Sequence, residues 1–236
     1  MSNPVLNEKV LNRIQDFGAT EKMTIDGTIH KSGFLILLTI LGATFGWNVP
    51  SMGIAVIFMI AAIVLVIMIS RKPERATFLS QPYALMEGFI LGTISSSYAI
   101  FQPGLISNAL ILTLSCLALM LGLYRFRIIQ VTDRFRSVML VATMAIAVTY
   151  LVSMIMGFFG AGIPMIHQGT TAGIIFSLVV VGVAAFNLLL DFDLIEQAYN
   201  QGAPKYMEWY GGFALLVTLV WLYLEILRLL SKMNKR

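Results

Sequence analysis

The chain alternates between long apolar runs and short bands that hold nearly all of its charged residues. No Asp, Glu, Lys or Arg occurs from Ser32 to Ser70, from Ala76 to Tyr124 apart from Glu87, or from Ser137 to Leu190. Uncharged stretches of this length are typical of membrane-spanning helices, which need about 20 apolar residues to cross a hydrocarbon core of ~30 Å. The pattern therefore predicts an all-α, polytopic membrane protein.

Seven apolar segments are present, of which the first is short, so we expect a seven-helix transmembrane bundle. The predicted spans are Gly33–Trp47, Met52–Ser70, Pro82–Phe101, Gly104–Tyr124, Ser137–Gly160, Thr171–Leu190 and Gly211–Leu230. The bundle would form one domain, residues 32–236, after a cytoplasmic N-terminal segment, residues 1–31. Within that segment, Pro4 to Phe17 places apolar residues on one helical stripe. This stripe predicts a short amphipathic helix that lies on the membrane surface or packs against the bundle.

The basic residues indicate the orientation of the bundle. Arg71, Lys72 and Arg75 follow the second span, and four arginines between Arg125 and Arg136 follow the fourth. By the positive-inside rule, these loops and the N-terminus face the cytoplasm. Seven spans then send the C-terminus outside, although its tail is also basic. We expect the last segment to cross fully, with a re-entrant segment as the alternative.

Composition narrows the class of protein and its partners. Hydrophobic residues make up 58% of the chain and charged residues 12%, against about 25% charged residues in soluble domains. The bilayer is thus the expected environment, and nucleic acid is not an expected partner. No nucleophile and base can be paired among the residues of the spans, so we do not expect an enzyme or a cofactor.

Three acids stand out because a carboxylate in hydrocarbon is costly unless it is hydrated or partnered. Asp191 and Asp193 end the predicted sixth span, about 200° apart around a helix, so only one can face the bundle. Glu87 lies at similar depth in the third span. These residues predict a cation-binding or proton-sensing cluster, and Arg71 at the same side could act as a latch. The structural alternative is a set of carboxylates solvated by lipid headgroups.

The last span carries a second group of polar residues. Glu225 and Arg228 are three residues apart, a helical spacing at which they can form an ion pair. Thr218 precedes Glu225 by two helical turns on the same face. It could line a polar track with Glu225, or donate its hydroxyl to the backbone carbonyl four residues back.

Five motifs together suggest a family. They are MTID (23–26), YALMEG (83–88), VTDRFR (131–136), NLLLDFD (187–193) and LVTLVWLYLEILRLL (216–230). With them, the chain resembles the bacterial Bax-inhibitor-1 family, in particular its actinobacterial-type branch, along nearly its full length.

The resemblance implies six helices around a central seventh and a pH-sensitive calcium leak. In the better-studied branch, an aspartate ending the sixth helix pairs with one inside the seventh, and an arginine ending the second helix is a latch. Asp193 matches the first aspartate and Arg71 the latch. Thr218 stands at the position of the second aspartate, so the partner role would pass to Asp191, Glu87 or Glu225, or would be missing.

Residues and resemblance together favour a non-enzymatic, pH-sensitive leak for Ca²⁺ or H⁺ in the inner membrane. Asp193 would be the central group and would bind Ca²⁺ as the transported ion, with Asp191 and Glu87 in support. One alternative is a non-conducting regulator of membrane proteolysis or stress responses, which would act through a membrane-protein partner. A second alternative is an H⁺-coupled transporter.

Overall fold

The computed structural model describes residues 21–102, 104–159 and 170–234. The predicted amphipathic helix at Pro4–Phe17 lies outside the described residues. The described chain is helical throughout, with a short 3₁₀ turn at Pro73–Arg75. Its α-helices are α1 (Ile25–Asn48), α2 (Met52–Arg71), α3 (Ala76–Phe101), α4 (Leu105–Arg125), α5 (Asp133–Phe158), α6 (Thr171–Asn200) and α7 (Met207–Met233).

Six of these helices are long and apolar enough to cross a membrane, and α3 is the exception. The all-helical, multi-pass prediction is therefore confirmed, whereas a seventh span is not. α3 carries many hydroxyl side chains, and two of them, Thr93 and Ser95, are buried and bond to other helices. Ser95, for example, is buried and lies 2.7 Å from the Tyr223 hydroxyl of α7.

Three helices begin or end away from their predicted boundaries. α1 starts at Ile25, well before Gly33, because the Thr24 hydroxyl caps it and accepts a 2.9 Å hydrogen bond from the N–H of Gly27. The predicted domain boundary at residues 31 and 32 therefore falls inside α1. α3 begins at Ala76 and contains Pro82, the predicted start. α6 continues to Asn200, so Asp191 and Asp193 lie within it and do not end it.

α7 occupies the interior position that the resemblance implies. It packs against α1, α3, α4 and α6. In the most apolar stretch of each candidate span, 56% of the residues are buried in α6 and in α7. The share is 17–22% in the other four candidate spans. α7 is also one continuous helix from Met207 to Met233, long enough to cross. The re-entrant alternative is therefore wrong.

α1 and α3 approach closely through glycines. A Cβ atom at Gly42 or Gly46 of α1 would lie 2.1–2.2 Å from a backbone oxygen of α3, and one at Gly88 or Gly92 of α3 would lie 2.1 Å from a backbone oxygen of α1. Gly88 and Gly92 are four residues apart in the sequence, a spacing that favours such a contact. Such small-residue interfaces hold helices together in membranes, where apolar side chains gain little from leaving lipid.

The bundle has two distinct ends. The end at which α2, α4 and α6 finish carries Arg71, Arg125 and Arg136 and is called the basic end below. The other end, where α7 finishes, is called the opposite end. Consecutive helices run in opposite directions. The residue number of a side chain along its helix therefore shows how close it lies to either end.

The segment before α1 is tied to the basic end. Its backbone pairs with the α6–α7 loop, where Met23 N–H donates to the Ala203 carbonyl at 2.8 Å. Lys205 in this loop forms an exposed ion pair with Glu21, and its hydrogen bond and positive charge lower the pKa of that carboxyl. These contacts fix where α7 begins.

Candidate functional site

Asp191 is the acid that faces the interior. It is fully buried, and its Oδ2 accepts a 2.6 Å hydrogen bond from the Thr218 hydroxyl of α7. Thr218 therefore donates across the helix interface and not to its own backbone. Asp191 occupies the central position that was predicted for Asp193. Residues two apart on a helix point in different directions, so Asp193 faces α5 instead.

Asp193 is partly buried between α6 and the start of α5. Its Oδ2 forms an ion pair with Arg136 and accepts a 2.9 Å hydrogen bond from the side chain of Gln197. Ca²⁺ prefers six to eight oxygen ligands, whereas a guanidinium here competes for the carboxylate. Within the described ranges, no three His, Cys, Asp or Glu side chains gather to hold a metal ion. The arrangement in this conformation does not fit the predicted Ca²⁺ site at Asp193.

The predicted cluster of three acids does not assemble. Glu87 lies half-buried on α3, and among the described residues it has no hydrogen-bond or ion-pair partner. Arg71, predicted as the latch, is exposed and likewise makes no ion pair with any described residue. The arginine that reaches the acids of α6 is Arg136. From the sequence, Arg136 was used only to predict the orientation of the bundle. Its place in the first turn of a span, opposite two acids, was nevertheless a signal of this ion pair.

Tyr210 is a further residue that sequence reasoning missed. It lies two turns before Thr218 on α7, is fully buried, and is close enough to Asp191 to interact with its charge. Its hydroxyl has no hydrogen-bond partner among the described residues. Buried hydroxyls without a partner are uncommon, so Tyr210 adds an available donor to the surroundings of Asp191.

A second buried site lies toward the opposite end. Glu225 is 1% exposed, and the Tyr150 hydroxyl of α5 donates to it at 2.9 Å. Arg228 donates to both Glu225 oxygens at 2.9 and 3.0 Å, so the predicted ion pair is present. Arg228 also lies 4.9 Å from the centre of the Tyr150 ring. Tyr150 could not be identified from its position in the sequence, because a tyrosine in an apolar run is usually a packing residue.

Lys232 is buried at the end of α7. Its ammonium donates to the carbonyl of Gly173 at 3.0 Å and to the Ser177 hydroxyl at 2.8 Å, both on α6. Lys232 and Arg228 both lie within α7 and not in a loop. The positive-inside rule counts cations in loops, whereas these two cations are held inside the bundle.

These contacts form a line of buried and partly buried polar groups between α5, α6 and α7, called the polar track below. From the basic end to the opposite end its members are Arg136 with Asp193, Thr218 with Asp191, Thr143 with Asn187, Tyr150 with Glu225 and Arg228, and Ser177 with Lys232. On α6 the track runs from Asp193 to Ser177, about 24 Å at 1.5 Å per residue.

The polar track is interrupted once. Ile146, Val180 and Val183 form a buried apolar cluster against Trp221, and these four residues are called the apolar layer below. Ile146 falls between Thr143 and Tyr150 on α5, and Trp221 falls between Thr218 and Glu225 on α7. The layer therefore separates the Asp191 site from the Glu225 site, as a dry constriction separates two wet compartments in a channel.

Comparison with known proteins gives a match at the level of the family. The model of a family described as Bax inhibitor 1 like matches residues 3–235. No curated protein and no solved structure matches the chain.

Proposed function

The chain belongs to the Bax inhibitor 1 like family, and on that premise we propose that it is a pH-sensitive leak for Ca²⁺ or H⁺. The observation that carries the proposal is the buried Asp191, hydrogen-bonded to Thr218 on the polar track. Ionisable groups inside a membrane bundle usually mark ion pathways or proton relays. The protein would act without enzymatic chemistry and without a cofactor, and Ca²⁺ or H⁺ would be its cargo.

Protonation of Asp191 would bias the packing of α6 against α7. The Thr218 hydroxyl can donate to a carboxylate and can also accept from a carboxylic acid, so the pair suits both protonation states. Ionisation adds a charge that attracts water and cations, whereas the neutral acid packs more readily among apolar neighbours. A change in pH would thus shift the population of two packings.

The apolar layer would be the gate of this leak. In the described conformation it separates the polar groups around Asp191 from those around Glu225. Movement of α6 relative to α7 would admit water between them, and the polar track would then offer oxygens along most of the bundle. Dewetting and wetting of an apolar constriction is an established way to gate ion passage.

We further propose that the basic end faces the cytoplasm of a bacterial cell and that the protein resides in the inner membrane. Arg71, Arg125 and Arg127 are exposed at this end, whereas Arg228 and Lys232 are occupied inside the bundle. The excess of free cations in short loops supports a cytoplasmic location for them and for the N-terminus.

A non-conducting regulator is the second candidate, favoured by the intact apolar layer and by the absence of a multi-carboxylate site in the described ranges. Such a protein would act on proteolysis or stress responses through a membrane-protein partner. The third class, an H⁺-coupled transporter, gains no support from the arrangement around Asp191.

Ion flux separates these functions. The purified protein is reconstituted in liposomes that contain a calcium dye or a pH dye, and flux is followed at several pH values beside protein-free liposomes. A leak predicts protein-dependent flux down the gradient of Ca²⁺ or H⁺, with a rate that depends on pH. Absence of flux at every pH from protein of intact helical content would contradict the leak. A stable partner recovered with such protein would then favour the regulator.

A further inference from the structure

A large cavity opens at the basic end, apart from the polar track for most of its length. Its volume is about 990 Å³, and it lies between α1, α4, the loop after α4, α6 and α7. On α1 its lining runs from Ile25 to Ile36, about 16 Å along the helix. The walls away from the mouth are apolar, formed by Ile29, Ile36, Leu117, Leu121, Leu215 and Leu219.

The mouth of the cavity is cationic. Arg125 and Arg127 both line it, and the side chains of both are exposed without a hydrogen bond or ion pair to any described residue. The acids at the mouth are already engaged, since Glu196 accepts from the Tyr124 hydroxyl and Asp193 pairs with Arg136. A hydrogen bond from a neutral hydroxyl leaves the charge of Glu196 in place, so the mouth carries two guanidinium charges against that one carboxylate and is cationic by one charge.

The backbone holds one of these arginines in an unusual conformation. Arg127 has a φ of 54°, in the left-handed region that glycine normally occupies after a helix. Its N–H donates to the Tyr124 carbonyl at 3.0 Å, and the N–H of Ile128 donates to the Leu123 carbonyl at 3.0 Å. This is the hydrogen-bond pattern of a Schellman cap, where a side chain is disfavoured. Unfavourable backbone conformations of this kind are concentrated at ligand sites.

The position of the mouth relative to the membrane points to a lipid. α4 is a candidate span that ends at Arg125, so the two arginines lie at the level of the headgroups. Phe126 and Ile128, which alternate with them, are 78% and 67% exposed. Exposed apolar residues beside cations at the end of a span are typical of the boundary between acyl chains and headgroups.

We propose that this cavity binds an anionic phospholipid from the leaflet at the basic end. The phosphate would lie on Arg125 and Arg127, because planar guanidinium groups bind phosphate oxygens in pairs. One acyl chain would follow the apolar walls toward Ile36 and Leu117. Basic pockets between membrane helices are known to hold anionic headgroups in this manner. The proposal does not depend on whether the protein conducts ions.

Two kinds of variant separate the headgroup contact from the acyl-chain contact. Arg125→Gln with Arg127→Gly removes both charges, and glycine suits the φ of Arg127, so the fold should keep or gain thermal stability. Gly33→Phe fills the cavity, since a Cβ at Gly33 meets no atom within 4 Å. The matched control is Arg71→Gln with Arg75→Gln, which removes two exposed charges from the same end.

Lipid binding is measured on the full chain in detergent by native mass spectrometry, with phosphatidylglycerol or phosphatidylcholine added. We expect the wild type and the control to retain phosphatidylglycerol preferentially. The arginine double variant should lose about tenfold or more of this preference, and Gly33→Phe should lose retention of the lipid. Equal retention of both lipids by the wild type, or unchanged binding in both cavity variants, would overturn the proposal. Displacement of the lipid by soluble glycerol phosphate at equal concentration would also overturn it, because the site would then recognise a free phosphate.

Discussion

The two buried acids of the polar track are satisfied by different donors. Glu225 is bonded by Tyr150 and by the Arg228 guanidinium, so its charge is compensated inside the bundle. Asp191 is bonded by the neutral hydroxyl of Thr218, which can serve either protonation state. At the scale of the residue, Glu225 therefore suits a permanent structural charge, and the bond from Thr218 to Asp191 is compatible with the change in charge proposed above.

The Arg228→Ala variant tests the structural charge. Loss of the guanidinium leaves Glu225 buried with Tyr150 as its remaining side-chain donor among the described residues. Because Arg228 is 34% exposed, we expect a loss of stability of about 2 kcal/mol, below the ~3–5 kcal/mol for breaking a fully buried pair. The measurement is thermal unfolding in detergent. The double variant Glu225→Gln, Arg228→Gln should recover part of the loss, and a larger loss in the double variant would contradict the pairing.

Thr218→Val tests the bond to Asp191. Valine has a similar shape but no hydroxyl, so Asp191 Oδ2 loses a donor in a site without exposure. We expect a loss of about 1–3 kcal/mol in the free energy of unfolding. Thr218→Ser keeps the donor and should retain most of the stability. Equal losses in the two variants would indicate that the methyl group, and not the hydroxyl, matters at this position.

At the scale of the element, the contact between α1 and α3 sets the geometry of one side of the bundle. Glycines on both helices bring a Cα of one against a carbonyl of the other. The spacing of Gly88 and Gly92 was enough to predict this contact, because small residues four apart form a groove on one helix face. What the spacing could not indicate was the partner helix.

Gly88→Ala should separate these helices. The added Cβ would lie 2.1 Å from the Thr39 carbonyl oxygen, which belongs to backbone and cannot move alone. We expect a loss of about 1–3 kcal/mol, the usual cost of overpacking, in thermal unfolding experiments. Gly182→Ala on α6 is the control, since a Cβ there meets no atom within 4 Å. It should be neutral or stabilising because alanine favours a helix. Similar losses at both positions would contradict the account.

The apolar runs predicted the helices but not their polar extensions. The apolar run of the sixth span ends at Leu190 and predicts that α6 ends there. The helix continues to Asn200 because its last turns pack on α5 and on the loop before α7. For the same reason, the apolar pattern did not predict the first turns of α1, which Thr24 caps. The choice between Asp191 and Asp193 also required the structure, since two positions 200° apart are equivalent until the neighbouring helices are placed.

At the scale of the whole molecule, the polar track and the apolar layer would form the closed state of the proposed leak. Polar groups reach from Asp193 near the basic end to Lys232 at the opposite end, and Ile146, Val180, Val183 and Trp221 break the line. Sequence alone predicted a polar face on the last span through Thr218 and Glu225. It did not predict the layer, because apolar residues in a span carry no sign of whether they face lipid or a pathway.

Val180→Thr tests the layer. Val180 is fully buried in it, and a hydroxyl of nearly the same volume would favour hydration of the constriction. We expect a several-fold rise in basal ion flux through reconstituted protein. Val179→Thr, on the neighbouring position that is 58% exposed, should leave flux unchanged. A rise in both variants, or in neither, would place the barrier elsewhere.

The central claim is that Asp191 carries the pH response, and the most direct measurement compares two substitutions in one assay. Wild type, Asp191→Asn and Asp193→Asn are reconstituted in liposomes, and flux of Ca²⁺ and H⁺ is recorded across pH. The account predicts that Asp191→Asn abolishes the pH dependence, because the buried group can no longer change its charge, and that Asp193→Asn retains it. A pH response that survives Asp191→Asn, or that disappears only in Asp193→Asn, would contradict the account.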